Sequence, residues 1–429
     1  MNSFALRPGM LLGVTLTPLQ HEGGSIHSAW NGWYSLGNIA DGANPAVAVG
    51  HFDRWREDTL LMRSMNVRTC RIGVSSARIE PQEGVFDESA LEHLREELML
   101  MLAVGIKPLV ALFEASVPAW FDEKGGWLKE DNISCYLVYV ERVVRSIGHL
   151  VNEYLTMSGA NEYARRAYRE GKWPPGHLSD LQYITVMSNL AAAHIRAYRL
   201  IKDVRLSLGF KNSRVSFANT LCDYEPKNEA NPLHRALAKQ SDSLNQKAMG
   251  LSMLTGEFIA PLRRPHLIRR GVYADFHAVG YYSRKVVSVR GSQTMENSRR
   301  SDIDWEIYPQ GLVKCCRQLT ELVRLPIYIT ENGVSDTEDA FRSRFIYEHL
   351  QAICLSGLPI KRYYYRSFMD GFDYNLGASA RFGLVAVDSV TKERRVKRSG
   401  EFFSRVIEEN AVTQALYNEY VAGEEFKIP

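Results

Sequence analysis

Eight short runs rich in apolar and β-branched residues recur along this 429-residue chain, separated by longer stretches of helical periodicity. That alternation limits the fold more than any other feature. The runs are LLGVTL (11–16), VRTCRIGVS (67–75), KPLVALFE (107–114), NEYLTMS (152–158), SRVSFANTL (213–221), HAVGYYS (277–283), PIYITENG (326–333) and IKRYYYRSF (360–368). Short apolar, β-branched runs of this length read as strands. ALEHLREELMLMLAVG before the third run and FRSRFIYEHLQAICLSG before the eighth read as the helices between them. Eight strand–helix units predict an α/β fold, a closed (β/α)8 TIM barrel, with chemistry gathered at the carboxyl ends of the strands. No Pro/Ser-rich or low-complexity linker interrupts the series, so residues 1–429 read as a single domain. The polar stretches 222–247 and 284–303 read as long βα loops.

Composition narrows the partners. Fifty-two basic residues against 49 acidic ones give a net charge of +3, without the dense basic face that nucleic acid requires. The expected partner is a small molecule, with no nucleic acid and no membrane. MNSFALRPG has neither the basic segment nor the apolar run of a secretion signal, and no stretch reaches the ~18 apolar residues of a membrane span. A cytoplasmic location is the expectation. The six cysteines (Cys70, Cys135, Cys222, Cys315, Cys316 and Cys354) lack CxxC spacing and read as buried or idle thiols. The 11 histidines show no metal-ligand spacing such as HExxH, and no Gly-rich phosphate loop follows a strand. No metal and no cofactor are expected.

Several phrases, in order, carry a resemblance. Gln20-His21-Glu22-Gly23 follows the first strand, and HFDRWREDTLLMRSMNVRTCRIGVSSARIEP (51–81) leads into and past the second. Gly125-Gly126-Trp127-Leu128, DWEIYPQGL (304–312), PIYITENG (326–333) and RFGLVAVD (381–388) come after them. Together they resemble glycoside hydrolase family 1, the β-glucosidase and β-galactosidase family, across nearly the whole chain. The resemblance implies a retaining mechanism with two carboxylates about 5–5.5 Å apart, one attacking the anomeric carbon and one exchanging protons. Glu331, in Ile-Thr-Glu-Asn-Gly, matches the family's nucleophile, and Arg71 and Tyr282 match the residues that hydrogen-bond it. Such partners favour the ionised form of a carboxylate.

The second carboxylate is where this chain departs from the pattern. The family's Thr-Phe-Asn-Glu-Pro reads here as Thr156-Met157-Ser158-Gly159-Ala160, and glycine cannot transfer a proton. Inserting three residues would align Asn161-Glu162 with the family's Asn-Glu. Ala164, Tyr168, Gly171, Pro175 and Gly176 nevertheless match family positions without a gap, so Gly159 is the equivalent position and Glu162 is expected on the loop or helix beyond. The sugar-binding residues differ as well. Phe113-Glu114-Ala115-Ser116 replaces Tyr-His-Trp-Asp, turning a neutral donor, the histidine, into an expected anion at Glu114. Arg366-Ser367-Phe368-Met369-Asp370-Gly371-Phe372-Asp373-Tyr374 replaces Trp-Ser-Leu-Leu-Asp-Asn-Phe-Glu-Trp. Gln20, Glu114, Ser158, Arg366, Asp373 and Tyr374 are the expected substrate contacts, and Glu114 and Arg366 are expected to form a new opposite-charge set at adjacent strand ends.

Three functions fit these residues. One is a retaining glycosidase or transglycosidase acting on an activated, modified or anionic β-glycoside, with Glu331 attacking and Glu114 or Glu162 taking over proton transfer. Another is a barrel enzyme of a different class, in which Glu331 works on a non-sugar metabolite and Arg366 holds its carboxylate or phosphate. The third is a binding protein without turnover.

Overall fold

The computed structural model describes residues 2–24, 27–265 and 268–429. Eight parallel strands close into a barrel: β1 (Leu11–Leu16), β2 (Thr69–Gly73), β3 (Lys107–Ala111), β4 (Glu153–Ser158), β5 (Arg214–Pro226), β6 (His277–Ser288), β7 (Ile327–Asn332) and β8 (Ile360–Tyr365). Around the barrel the order is β5-β4-β3-β2-β1-β8-β7-β6, and pairing of β5 with β6 completes the circle. The fold expected from the sequence is therefore the fold observed, with all eight strands found near their predicted places.

The strands form where they do because both of their faces are covered. Every residue of β2 and of β4 is buried. Outside, their side chains meet helices such as Glu88–Ala103, which starts at Asp87, whose carboxylate accepts from the amides of Ser89 and Ala90. That helix buries Leu91, Leu94, Leu98 and Met101 along one stripe. Inside, Leu109, Ala111, Leu155, Ala218, Phe276, Ala278, Tyr328 and Tyr364 fill the barrel as a separate cluster. Close approach of β1 and β2 explains Gly13: a Cβ there would lie 1.9 Å from the Thr69 carbonyl oxygen.

The floor of the barrel is polar but satisfied. Arg362 Nη2 lies 2.5 Å from Glu153 Oε2, and Arg362 Nη1 donates to Thr69 Oγ1 at 3.0 Å. Tyr328 donates its hydroxyl to Glu153 Oε1 at 3.0 Å. These contacts and the apolar cluster above them close one end, leaving the carboxyl ends of the strands as the open face.

Two of the long segments read as loops are structured. β5 continues to Pro226 and β6 to Ser288, paired as Asp223 with Arg284, Tyr224 with Lys285 and Glu225 with Val286. The 222–247 stretch then holds a helix over Pro232–Asp242 and a π-turn over Ser243–Lys247. In 284–303, a hairpin strand over Gly291–Gln293 pairs back onto β6. The reading of these stretches as loops is corrected: charged side chains alternate along a ladder that rises past the rim of the barrel, where water reaches one face.

All six cysteines are unpaired, with Cys70, Cys315 and Cys316 buried. Among the described residues no helix is long and apolar enough to cross a membrane.

Candidate active site

A cavity of about 620 Å³ opens over the carboxyl ends of the strands. Its base is organised by one guanidinium. Arg71, fully buried on β2, places Nη2 2.6 Å from Glu331 Oε1 and Nη1 2.6 Å from Glu114 Oε1. Ser158, the last residue of β4, receives a weaker bond from Arg71 Nη1 at 3.3 Å. Tyr282 on β6 donates its hydroxyl to Glu331 Oε2 at 2.7 Å. Both oxygens of Glu331 are thus held, while its side chain stays 13% exposed and reachable from the cavity.

One cation serving two carboxyl groups forces an asymmetry between them. Burial alone would raise the pKa of Glu331, but Arg71, Arg366 and the Tyr282 hydroxyl together hold it below the ordinary value. Burial pushes Glu114 up to about 7, with the Glu331 charge adding to the rise and Arg71 opposing it. Glu114 therefore holds its proton over much of the range in which Glu331 is ionised. Glu114, expected as an anion, thus shares its cation with Glu331 and ionises only near neutral pH.

A second cluster sits on the β8 side. Arg366 Nη2 lies 2.5 Å from Asp373 Oδ1, which also accepts from Gln20 Nε2 at 3.1 Å. The Arg366 guanidinium lies 4.1 Å from the Phe382 ring and 5.6 Å from that of Tyr282. Its buried Nη1 has no hydrogen-bond partner among the described residues. Glu114 and Arg366 are not partners: β3 and β8 are not adjacent in the barrel, and Glu114 pairs with Arg71 while Arg366 pairs with Asp373. The opposite-charge set expected from the sequence is corrected to two separate pairs, Glu114 with Arg71 and Arg366 with Asp373.

Where β4 ends, Gly159 takes φ +66° and leads into the helix Ala160–Tyr168. A Cβ at Gly159 would have Thr220 Oγ1, at 3.9 Å, as its nearest neighbour, so the space in front of it is open cavity. Glu162 lines the same cavity from the first turn of that helix. Its carboxylate is 2.5 Å from Arg165 Nη2 and 2.7 Å from Arg166 Nε. Burial acts against its charge, yet the two arginines bring Glu162 down to about 2. It has no proton to give at neutral pH.

Of the residues selected from sequence, Glu331, Arg71, Tyr282, Glu114 and Ser158 converge on one network, and Gln20, Arg366 and Asp373 on its neighbour. Tyr374 lines the cavity and stacks on Trp173 with ring centroids 4.5 Å apart. Trp173, Trp305 and Lys285 also line the cavity and were not singled out. Trp305 lies within DWEIYPQGL, so its phrase was legible although its role as the partner of Tyr282, at 5.3 Å between rings, was not. Lys285 lies on the part of β6 misread as loop. Among the described residues no group of three or more His, Cys, Asp or Glu is placed to hold a metal ion.

Comparison with known proteins agrees with this geometry. The chain is 26% identical to β-glucosidase A of Thermotoga maritima, over 96% of this chain and 100% of that protein. It is 27% identical to β-glucosidase A of Acetivibrio thermocellus, over 91% and 94%. A solved β-glycosidase from Pyrococcus horikoshii superposes with a TM-score of 0.87 at 27% identity, covering 97% of this chain and 98% of that one. The model of glycosyl hydrolase family 1 matches residues 19–277 and 276–412. Spanning nearly the whole barrel and both clusters at its mouth, that match makes the chain a member of glycosyl hydrolase family 1.

Proposed function

We propose that this protein is a retaining β-glycosidase with an altered proton-transfer site, acting on activated, modified or anionic β-glycosides. The observation that carries the reading is the contrast between Glu331 and Gly159: a carboxylate ionised and aimed by Arg71 and Tyr282, facing a cavity with open space where a second carboxylate would stand. The relatives' names, β-glucosidase and β-glycosidase, supply the substrate class.

In the first step a Glu331 oxygen forms a bond to the anomeric carbon while the bond to the leaving group breaks, and the leaving group departs with the electron pair. In the second step water attacks the same carbon, Glu331 is released as carboxylate, and the proton passes to solvent. Losing a general acid costs about 10²–10⁴ in rate on ordinary leaving groups, so the substrates that turn over well are those whose leaving group is stable as an anion. Glu114 sits on the same arginine as the nucleophile, which supports a role for it in contacting the glycone beside Glu331. Arg366 Nη1, unbonded and buried, is the donor for an oxygen of a modified or anionic glycone.

Incubation with dinitrophenyl 2-deoxy-2-fluoro-β-glycosides tests the reading, because that leaving group needs no acid. Intact mass should show a covalent glycosyl adduct, and peptide mapping should place it on Glu331. Absence of an adduct across gluco, galacto and glucuronic sugars overturns the assignment.

A further inference from the structure

We propose that Lys285 forms an oxyanion-binding subsite on the leaving-group side of the cavity, selecting glycosides whose aglycone carries a carboxylate or sulfonate-like group. The inference rests on Glu331 as the nucleophile, which fixes where the glycone lies.

Lys285 lies three residues beyond Tyr282 on β6. At a rise of about 3.3 Å per residue, its backbone is about 10 Å nearer the opening than the residue that holds Glu331. Glycone contacts lie at the base, around Glu114, Asp373 and Arg366, so this displacement runs toward the aglycone. Gly159 lines the same cavity, with Thr220 of β5 as its nearest neighbour, and Tyr224 of β5 is the register partner of Lys285. The open space in front of Gly159 and the Lys285 side chain therefore belong to one wall.

The charge count makes Lys285 the surplus cation there. Arg165 and Arg166 are each paired with Glu162 and Glu170, so these four groups cancel. Lys285 Nζ donates to Thr294 Oγ1 at 3.1 Å and forms no ion pair among the described residues. Burial is the main cause of a lowered pKa at Lys285; Cys222 and Asp304 oppose the fall and Arg165 and Arg166 add to it, so the half-buried ammonium is only partly compensated by its surroundings. An oxyanion brought by substrate would supply the rest.

The test compares 4-nitrophenyl β-glucoside with 3-carboxy-4-nitrophenyl β-glucoside in wild type, Lys285→Gln and Lys285→Arg. Glutamine keeps a donor for Thr294 while removing the charge. The ratio of kcat/KM for the carboxylated over the neutral substrate should fall about tenfold in Lys285→Gln, the size of one partly desolvated charge pair, and be restored in Lys285→Arg. An equal change on both substrates, or no change, overturns the subsite. The second measurement is independent of Glu331 chemistry: absorbance titration with the free phenols, 5-hydroxy-2-nitrobenzoate and 4-nitrophenol. Preference for the carboxylated phenol in wild type, lost in Lys285→Gln, supports the subsite even if no Glu331 adduct forms, whereas equal binding of the two phenols overturns it. Repeating the pair with a sulfonate in place of the carboxylate separates a general oxyanion site from a carboxylate-specific one.

Discussion

Arg71 Nη2 lies 2.6 Å from Glu331 Oε1, an ion pair that joins the second and seventh strands across the mouth of the barrel. Because Arg71 is fully buried and also carries Glu114, replacing it strands two carboxyl groups at once. Arg71→Met should lower stability by about 3–5 kcal/mol, the usual cost of breaking a buried ion pair from one side. Urea unfolding measures this directly. A loss below about 1 kcal/mol, the range of a solvent-exposed pair, would show that the carboxyl groups escape to water.

The asymmetry between Glu114 and Glu331 predicts a pH signature. Glu114 has a native pKa raised from 4.5 to about 7, so between those values the unfolded chain gives up a proton that the native state keeps. Stability is greatest below the lower value and declines as pH rises through the upper one. Glu114→Gln removes this titration while retaining an oxygen for Arg71. The variant should therefore gain on wild type as pH is raised from 5 to 8, read from denaturation midpoints across that range. Parallel curves would refute the raised value.

Tyr282 is expected to set the acid limb of activity. Its hydroxyl stabilises the ionised form of Glu331, which is the attacking form in the proposed mechanism. Tyr282→Phe should raise the nucleophile's pKa, move the acid limb of the kcat/KM profile to higher pH and lower the plateau about tenfold, the magnitude of one hydrogen bond to a charged group. An unmoved limb would assign that titration to another group.

Gly159 offers the converse experiment. The open space in front of it accommodates a side chain, and only its positive φ opposes one, at about 1–2 kcal/mol. Gly159→Glu should flatten the dependence of rate on leaving-group acidity, raising turnover of a poor leaving group such as phenol by about a hundredfold relative to dinitrophenol. Rates measured over a series of aryl glycosides decide it, and an unchanged slope would mean that the open space is not where protons are exchanged.

Much of this architecture is legible in the chain because the strands are largely buried, which writes them as short runs rich in apolar and β-branched residues. Glu331, Arg71 and Tyr282 are legible through the family resemblance, whose phrases fall in register on those runs. What escapes is set by pairing rather than pattern. Asp223, Tyr224 and Glu225 look like a loop until Arg284, Lys285 and Val286 are seen opposite them. The proton on Glu114 depends on Arg71 already serving Glu331, and the partner of Arg366 depends on a turn seven residues later in the chain. Relationships of this kind arise from closure of the barrel, which no local window of sequence contains.

The Arg362–Glu153 pair at the barrel floor also governs traffic. Because it shuts the far end, the described residues leave the site open only at the carboxyl ends of the strands, and on the proposed mechanism the leaving fragment stands between the sugar and bulk water. On that mechanism the fragment must clear the passage before a water molecule can reach the anomeric carbon, so the lifetime of the covalent intermediate is tied to how quickly it leaves. An acceptor that holds the passage longer than water does takes the sugar instead, making occupancy of the doorway the arbiter between hydrolysis and transfer.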